Sequence, residues 1–409
     1  MLKTLAMLFT FLFSAHSFAG FEEALEAYDN GDYNTAFREF KVLAEQGYVS
    51  AQFSLALMHK NGEGTAEDYN AAIKWYTQAA EQGYVSAQFN LGLLHKAGIG
   101  TDQDYNSAIK WFTKAAEQGY VTAQFSLGII YKTGEGTAQD YNAAIKWFTK
   151  AAEQGYVRAQ YNLALIYRNG QGTAKDFNAA IMWFTKAAEQ GHIKAQYNLG
   201  FMYKNGQGTA KDFNTAIQWY TKAAEQGYLR AQYNLALIYI GSADNIQDYN
   251  TAIKWFTKAA EQGYVSAQFR LGLIYKRGKV TDKNYKEAFK WFAQAAEQGY
   301  VRAQYNLALL YKNGEGTDQN YKAAIQWYTI AAKQGDVEAQ VNLGAMYYHG
   351  DGTNQNYIKA HMWWFVAAPN GATKAEWNRD IVEKKMTPAD ISKAQTLARE
   401  CVAQNYDGC

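Results

Sequence analysis

Two columns of side chains, four residues apart, have the types and spacing to recognise an anionic peptide. Read at intervals of thirty-six, the first runs Ser50, Ser86, Thr122, Arg158, Lys194, Arg230, Ser266, Arg302 and Glu338. The second runs Ser54, Asn90, Ser126, Asn162, Asn198, Asn234, Arg270, Asn306 and Asn342. An i, i+4 spacing puts each pair on one helical face. Arg158/Asn162, Lys194/Asn198 and Arg230/Asn234 are consecutive, Arg270 continues the basic line, and Arg302/Asn306 follows. A guanidinium grips a carboxylate through paired hydrogen bonds, and an asparagine amide serves peptide N–H and C=O groups. With neighbouring helices about 10 Å apart, the line extends over tens of ångströms, enough for an extended peptide. The ligand this chemistry fits is a protein or peptide segment, acidic or C-terminal. The competing reading is that the asparagines bond within the scaffold and the basic residues are merely solvated.

Other chemistry is not signalled. The histidines His16, His59, His95, His192, His349 and His361 show no zinc-binding spacing. His59 and His95 share a column where other units carry Tyr, and read as amphipathic rings rather than ligands. The recurring Gly-x-Gly, as at Gly62 and Gly64, lacks the lysine of a phosphate loop and reads as punctuation. Glu81, Glu117 and Glu153 recur at one helix position, so they read as structural. No catalytic residue, metal or cofactor is expected. A column of tryptophans, Trp75, Trp111, Trp147, Trp183, Trp219, Trp255, Trp291, Trp327 and Trp363, could stack on sugars. Packing is the preferred reading, because alanine and aliphatic columns share its face.

Composition narrows the class. The 409 residues carry 40 basic and 38 acidic side chains, a net charge of +2, too balanced for a nucleic-acid binder working by bulk charge. Hydrophobic content of 48% with 19% charged residues excludes disorder, and 2 prolines among many Ala, Gln, Lys and Glu favour helices.

The first nineteen residues read as an address. Lys3 precedes an apolar run from Leu5 to Phe13, and Ser17 and Ala19 are the small residues a signal peptidase requires. The run falls well short of the ~20 residues that span a bilayer. Cleavage after Ala19 predicts a chain exported to the periplasm or secreted, with no transmembrane segment in its mature form. Cys401 and Cys409, eight apart, fit that compartment as one structural disulfide.

The dominant signal is the repeat. Glycine recurs every thirty-six residues from Gly47 to Gly371, which bounds nine units over 48–371. In the unit from Tyr156 to Gly191, Ala159, Leu163, Ile166 and Tyr167 share one side of a first helix. Gly170 and Gly172 break it, and Asp176 caps a second helix carrying Ala180, Ile181, Trp183, Phe184, Ala187 and Ala188. One pair cannot bury this face alone, so neighbours must stack. The predicted fold is all-α, a right-handed superhelical α-solenoid of stacked helix pairs. Residues 20–47 read as a shorter N-terminal capping pair turning at Asn30-Gly31-Asp32. Residues 372–409 read as C-terminal capping helices, with Thr387 as an N-cap before Pro388 and a disulfide pinning the tail.

AQYNLGFMYKNGQGTAKD followed by AIQWYTKAAEQG resembles the Sel1-like repeat, a relative of the tetratricopeptide repeat, over nearly the whole mature chain. The segment with Met386-Thr387-Pro388 and Ala394-Gln395 resembles the cap that follows such arrays. The resemblance implies a non-catalytic adaptor, here monomeric, that captures other macromolecules in envelope function or host interaction. Exported members are often linked to immunity against secreted toxins, which gives a first alternative for this chain, a periplasmic immunity protein neutralising one toxin. A cysteine-rich subgroup is linked to β-lactams, which gives a second alternative, a cell-wall or β-lactam-acting enzyme, but that subgroup's paired repeat cysteines are missing here. By the same analogy the basic/asparagine pairs line the concave surface, like the carboxylate clamp of tetratricopeptide domains. Two departures stand out: Thr replaces the usual Val after the loop glycine, and the loop Gly241-Ser242-Ala243-Asp244-Asn245 lacks both standard glycines, so its turn should differ.

Overall fold

The computed structural model describes residues 20–241, 248–278, 282–406 and 409. The leader of residues 1–19 and Ser242 to Asn245 of the divergent loop lie outside these residues. The chain forms two compact units, one ending at Lys211 and one beginning at Asp212. Among the described residues every regular element is helical. In each unit helix pairs stack in sequence order, each second helix packing on the first helix of the next repeat. This is the layered packing of an α-solenoid.

Repeat four shows why these residues fold this way. Its first helix, Val157–Asn169, ends at Gly170, whose φ of 70° is the left-handed conformation glycine adopts without steric cost. Its second helix, Phe177–Glu189, starts where the Asp176 carboxylate accepts a hydrogen bond from the Ala179 N–H at 2.9 Å. Asp or Asn occupies this cap in all nine repeats, from Asp68 to Asn356. The second loop glycine, Gly172, meets a different demand: a Cβ there would overlap Tyr141, the first residue of the preceding second helix. The divergent loop departs as expected, since Gly241 ends its helix at φ −68° and ψ 148°, an extended turn.

The core runs from repeat to repeat. Ala108, Phe112, Ala115 and Ala116 of one second helix close on Ala123, Leu127 and Ile130 of the next first helix, with Trp147 behind them. Phe292, Ala295 and Ala296 meet Ala303, Leu307 and Leu310 in the same way in the second unit. Fully buried alanines let the helices approach, and the aromatic rings fill the remaining space. Trp111, Trp147, Trp183, Trp255, Trp291 and Trp363 are buried, and Trp75, Trp219 and Trp327 are half-buried. Their outer faces are covered by lysines: Lys114 lies 4.5 Å from the Trp111 ring centre, Lys186 4.5 Å from Trp183 and Lys258 4.6 Å from Trp255. These tryptophans serve packing, and the lysines sit on them as cation–π partners.

A glutamine ladder satisfies backbone groups between helices. Gln124 Nε2 donates to the Ala116 carbonyl of the preceding repeat at 3.0 Å, and Gln154 Nε2 donates to Gln124 Oε1 at 2.8 Å. The same pairing joins Gln88 to Gln118 and Gln160 to Gln190, and in the second unit Gln268 to Gln298 and Gln304 to Gln334. It stops in repeat nine, where Asn370 stands in place of the outer glutamine and the buried Oε1 of Gln340 has no partner.

The ends differ. Residues 20–29 are helical, Gly31 turns the chain at φ 80°, and Asp32 caps Tyr33–Glu45. At the C-terminus, Thr373–Glu383 and Pro388–Ala403 pack on the second helix of repeat nine, Tyr357–Ala367. His361 of that helix is fully buried, with its Nε2 2.8 Å from Glu383 Oε1. Thr387 caps the last helix, accepting from the Asp390 N–H at 3.2 Å. Cys401 and Cys409 form a disulfide with Cα atoms 5.2 Å apart, and Cys409 and Tyr406 pack against the core.

Candidate interaction face of the first helices

In the first unit, two consecutive first helices, Val157–Asn169 and Ile193–Asn205, carry the predicted residues, and Val121–Thr133 precedes them. Arg158 and Lys194 are exposed. Arg158 lays its guanidinium over the Phe125 ring of the preceding repeat, 4.8 Å from its centre, which leaves its edges free to donate. His192, which replaces the usual Tyr, caps its helix by accepting from the Ala195 N–H, and its ring packs at a tilt with its centre 4.5 Å from that of Tyr161. Burial holds its pKa below the ordinary histidine value, and the cations Lys194 and Arg158 push it in the same direction.

The asparagines are held by the scaffold. Asn162 Nδ2 donates to the Arg158 carbonyl one turn back at 2.8 Å, and its Oδ1 accepts from Lys132 Nζ of repeat three at 2.9 Å. Asn198 is buried, donates to the Lys194 carbonyl at 2.7 Å and accepts from Arg168 Nη1 of repeat four. Both ends of these amides are therefore engaged within the protein.

The second unit repeats the pattern on Leu229–Ile240, Val265–Arg277 and Val301–Asn313. Arg230, Arg270 and Arg302 are exposed. Asn234 and Asn306 donate to the carbonyls of Arg230 and Arg302 at 2.8 Å each, and Lys276 Nζ donates to Asn306 Oδ1 at 2.9 Å. Arg270 Nε reaches the Tyr233 hydroxyl at 3.5 Å.

Two kinds of cation result. The inner cations, Lys132 and Arg168 in the first unit and Lys276 in the second, are half-buried and bonded to asparagines, with the pKa of Lys132 and of Lys276 lowered chiefly by burial. The outer cations are Arg158 and Lys194 in the first unit and Arg230, Arg270 and Arg302 in the second, and among the described residues no carboxylate lies within ion-pair distance of any of them. Seven residues on from Arg158 and Lys194, on the same helical face, Leu165 is half-buried and Phe201 exposed. The face can thus offer charge-assisted donors beside apolar surface. The inner cations went unread in the sequence, although their column is legible as Lys60, Lys96, Lys132, Arg168, Lys204, Lys276 and Lys312.

Among the described residues there is no group of three or more His, Cys, Asp or Glu side chains placed to hold a metal. Nor is any helix there long and apolar enough to cross a membrane.

Stacked helix pairs of this kind define a repeat scaffold suited to protein–protein interaction. The Sel1 repeat model matches the sequence nine times, at residues 49–84, 85–120, 121–156, 157–192, 193–228, 229–264, 265–300, 301–336 and 337–370. The chain belongs to the Sel1 repeat family, whose members are generally non-catalytic scaffolds. Among solved structures it is similar to c5321, a protective antigen of uropathogenic Escherichia coli with an SLR fold. That pair is 34% identical over 98% of this chain and 96% of the other, with a TM-score of 0.53. It is also similar to a Sel1 repeat protein of Oxalobacter formigenes, 31% identical over 76% of this chain and 89% of the other, with a TM-score of 0.62. No curated protein sequence matches.

Proposed function

We propose that this chain is an exported, non-catalytic adaptor that holds an acidic, extended segment of another protein on the exposed faces of its first helices. The observation that carries this reading is the set of outer cations. Arg158 and Lys194 in one unit, and Arg230, Arg270 and Arg302 in the other, stand exposed without carboxylate partners. An exposed guanidinium left unpaired in a protein with 38 acidic side chains is available for an external carboxylate. The adjoining apolar residues supply the non-directional part of the affinity.

Export is supported by the leader-like start and by the Cys401–Cys409 disulfide, a bond that persists in oxidising compartments. The description of the 34% identical relative as a protective antigen is in keeping with a location accessible to a host.

Affinity capture from envelope and culture-medium extracts tests the reading. Wild type is compared with the Arg158→Glu, Lys194→Glu, Arg230→Glu triple variant, with circular dichroism confirming that both are folded. The expected result is a protein retained by wild type, lost from the variant and released by salt, since exposed charges are screened within about 10 Å at 0.1 M. Equal retention by both proteins removes the site from this face.

A further inference from the structure

Within the second unit the exposed row changes sign. The column that places Arg230 in repeat six and Arg302 in repeat eight places Glu338 in repeat nine, and Asp336 precedes it by two residues. Glu338 is exposed, and among the described residues neither it nor Arg302 is in an ion pair. Asp336 is half-buried and accepts from the Ala339 N–H at 2.8 Å. Its pKa is raised, chiefly by burial and further by Glu338, while Arg302 opposes the rise.

A second observation falls at the same place. Tyr328 is fully buried, yet its hydroxyl has no hydrogen-bond partner. The adjoining repeats carry Phe292 and Trp364 in this column, and Tyr76 shares the buried, unpaired hydroxyl in repeat one. Tyr305 packs against Tyr328 with ring centres 5.8 Å apart, and both tyrosines lie in the field of Asp336. Two carboxylates and the Tyr305 ring therefore lie together at the end of this unit's basic row. Carboxylates and an aromatic ring attract a cation.

We propose that repeat nine receives a positively charged group of the bound segment, so that the segment lies with its cationic end at Asp336 and Glu338 and its acidic stretch along Arg302 and Arg270. This rests on the adaptor reading and adds a direction to it. The cation is a primary ammonium or guanidinium, from a lysine or arginine side chain or from a free N-terminus. A ligand acidic throughout would be repelled at repeat nine, so the reversal also selects among acidic partners.

The test titrates the full chain with three short fluorescein-labelled peptides. One is an acidic block ending in lysines, one has those lysines replaced by norleucine, and one is the norleucine peptide with its N-terminus left free instead of acetylated. Each is measured against wild type and Glu338→Gln, an exposed substitution that leaves the fold intact. The expected result is that Glu338→Gln weakens the lysine peptide about three- to fivefold, the coupling of one exposed ion pair, and leaves the acetylated norleucine peptide unchanged. Weakening of the free-amine peptide as well assigns the site to N-termini in addition to side chains. If Glu338→Gln affects no peptide while the acidic block still binds and Arg302→Glu still weakens it, the proposed direction is overturned and the adaptor reading stands. If no peptide binds wild type, the adaptor reading itself falls.

Discussion

Lys132 of repeat three donates its ammonium to Asn162 of repeat four across 2.9 Å, while the other end of the same amide holds the Arg158 carbonyl. The asparagine is thus a brace between repeats, one bond within its own helix and one to its neighbour. Asn162→Ala should lower unfolding free energy by about 1–2 kcal/mol, because half-buried Lys132 loses its partner. Its effect on binding the acidic-block peptide should be smaller than that of Arg158→Glu. Urea denaturation and peptide titration measure the two. An Asn162→Ala variant of full stability that loses binding as completely as Arg158→Glu would place the amide on the ligand instead.

Gly155, at the end of repeat three, and Gly172 of repeat four separate backbone conformation from crowding. Gly155 and Gly172 both have positive φ, 86° and 69°. A Cβ on Gly155 meets nothing within 4 Å, whereas one on Gly172 overlaps Tyr141. Gly155→Ala should cost about 1 kcal/mol, the strain of the left-handed region alone. Gly172→Ala should cost about 2–4 kcal/mol, because the overlap adds to that strain. Equal losses in denaturant melts would refute the close approach.

Tyr76 is fully buried, its hydroxyl has no partner, and burial drives its pKa upward. Phe112 and Phe148 fill the same column in the next two repeats. Tyr76→Phe should therefore be neutral or stabilising by up to about 1 kcal/mol, since it removes an unpaired polar atom without opening a cavity. A clear fall in melting temperature would reveal a bond this structure does not contain.

His59 and His192 give stability a pH dependence of defined sign. Burial is the largest cause depressing each pKa below the ordinary histidine value. The unfolded chain therefore takes up protons first as pH falls below about 6.5. Stability is full above that value and is lost as pH falls through the depressed folded pKa. In chemical denaturation between pH 8 and pH 5, the His59→Tyr, His192→Tyr variant should lose less stability than wild type. Tyrosine already fills most positions in both columns. An unchanged pH slope would show that these rings carry none of the dependence.

Much of the protein was legible one repeat at a time. Helix ends at Gly170 and Asp176 are local events, decided by a positive φ and by a carboxylate within reach of an N–H two or three residues on. The alanine and tryptophan columns announce a packed face, because a period of thirty-six carries each residue to the same environment in the next unit. The exposure of Arg158, Lys194, Arg230 and Arg302 also follows from helical spacing.

Contacts made across repeats were not legible. Nothing within the segment 157–169 says that Asn162 will meet Lys132, that Arg158 will lie on Phe125, or that Gln124 will be locked between Ala116 and Gln154. Those partners depend on how far one helix pair is turned and shifted on the next, a quantity set by the summed packing of alanines and rings. Sequence by itself determined the helix pairs, their caps and the column of exposed cations. Tertiary structure decided which polar groups are consumed in holding the repeats together and which remain to face a partner, because side-chain hydrogen bonds form only where neighbouring backbones bring donor and acceptor within about 3 Å.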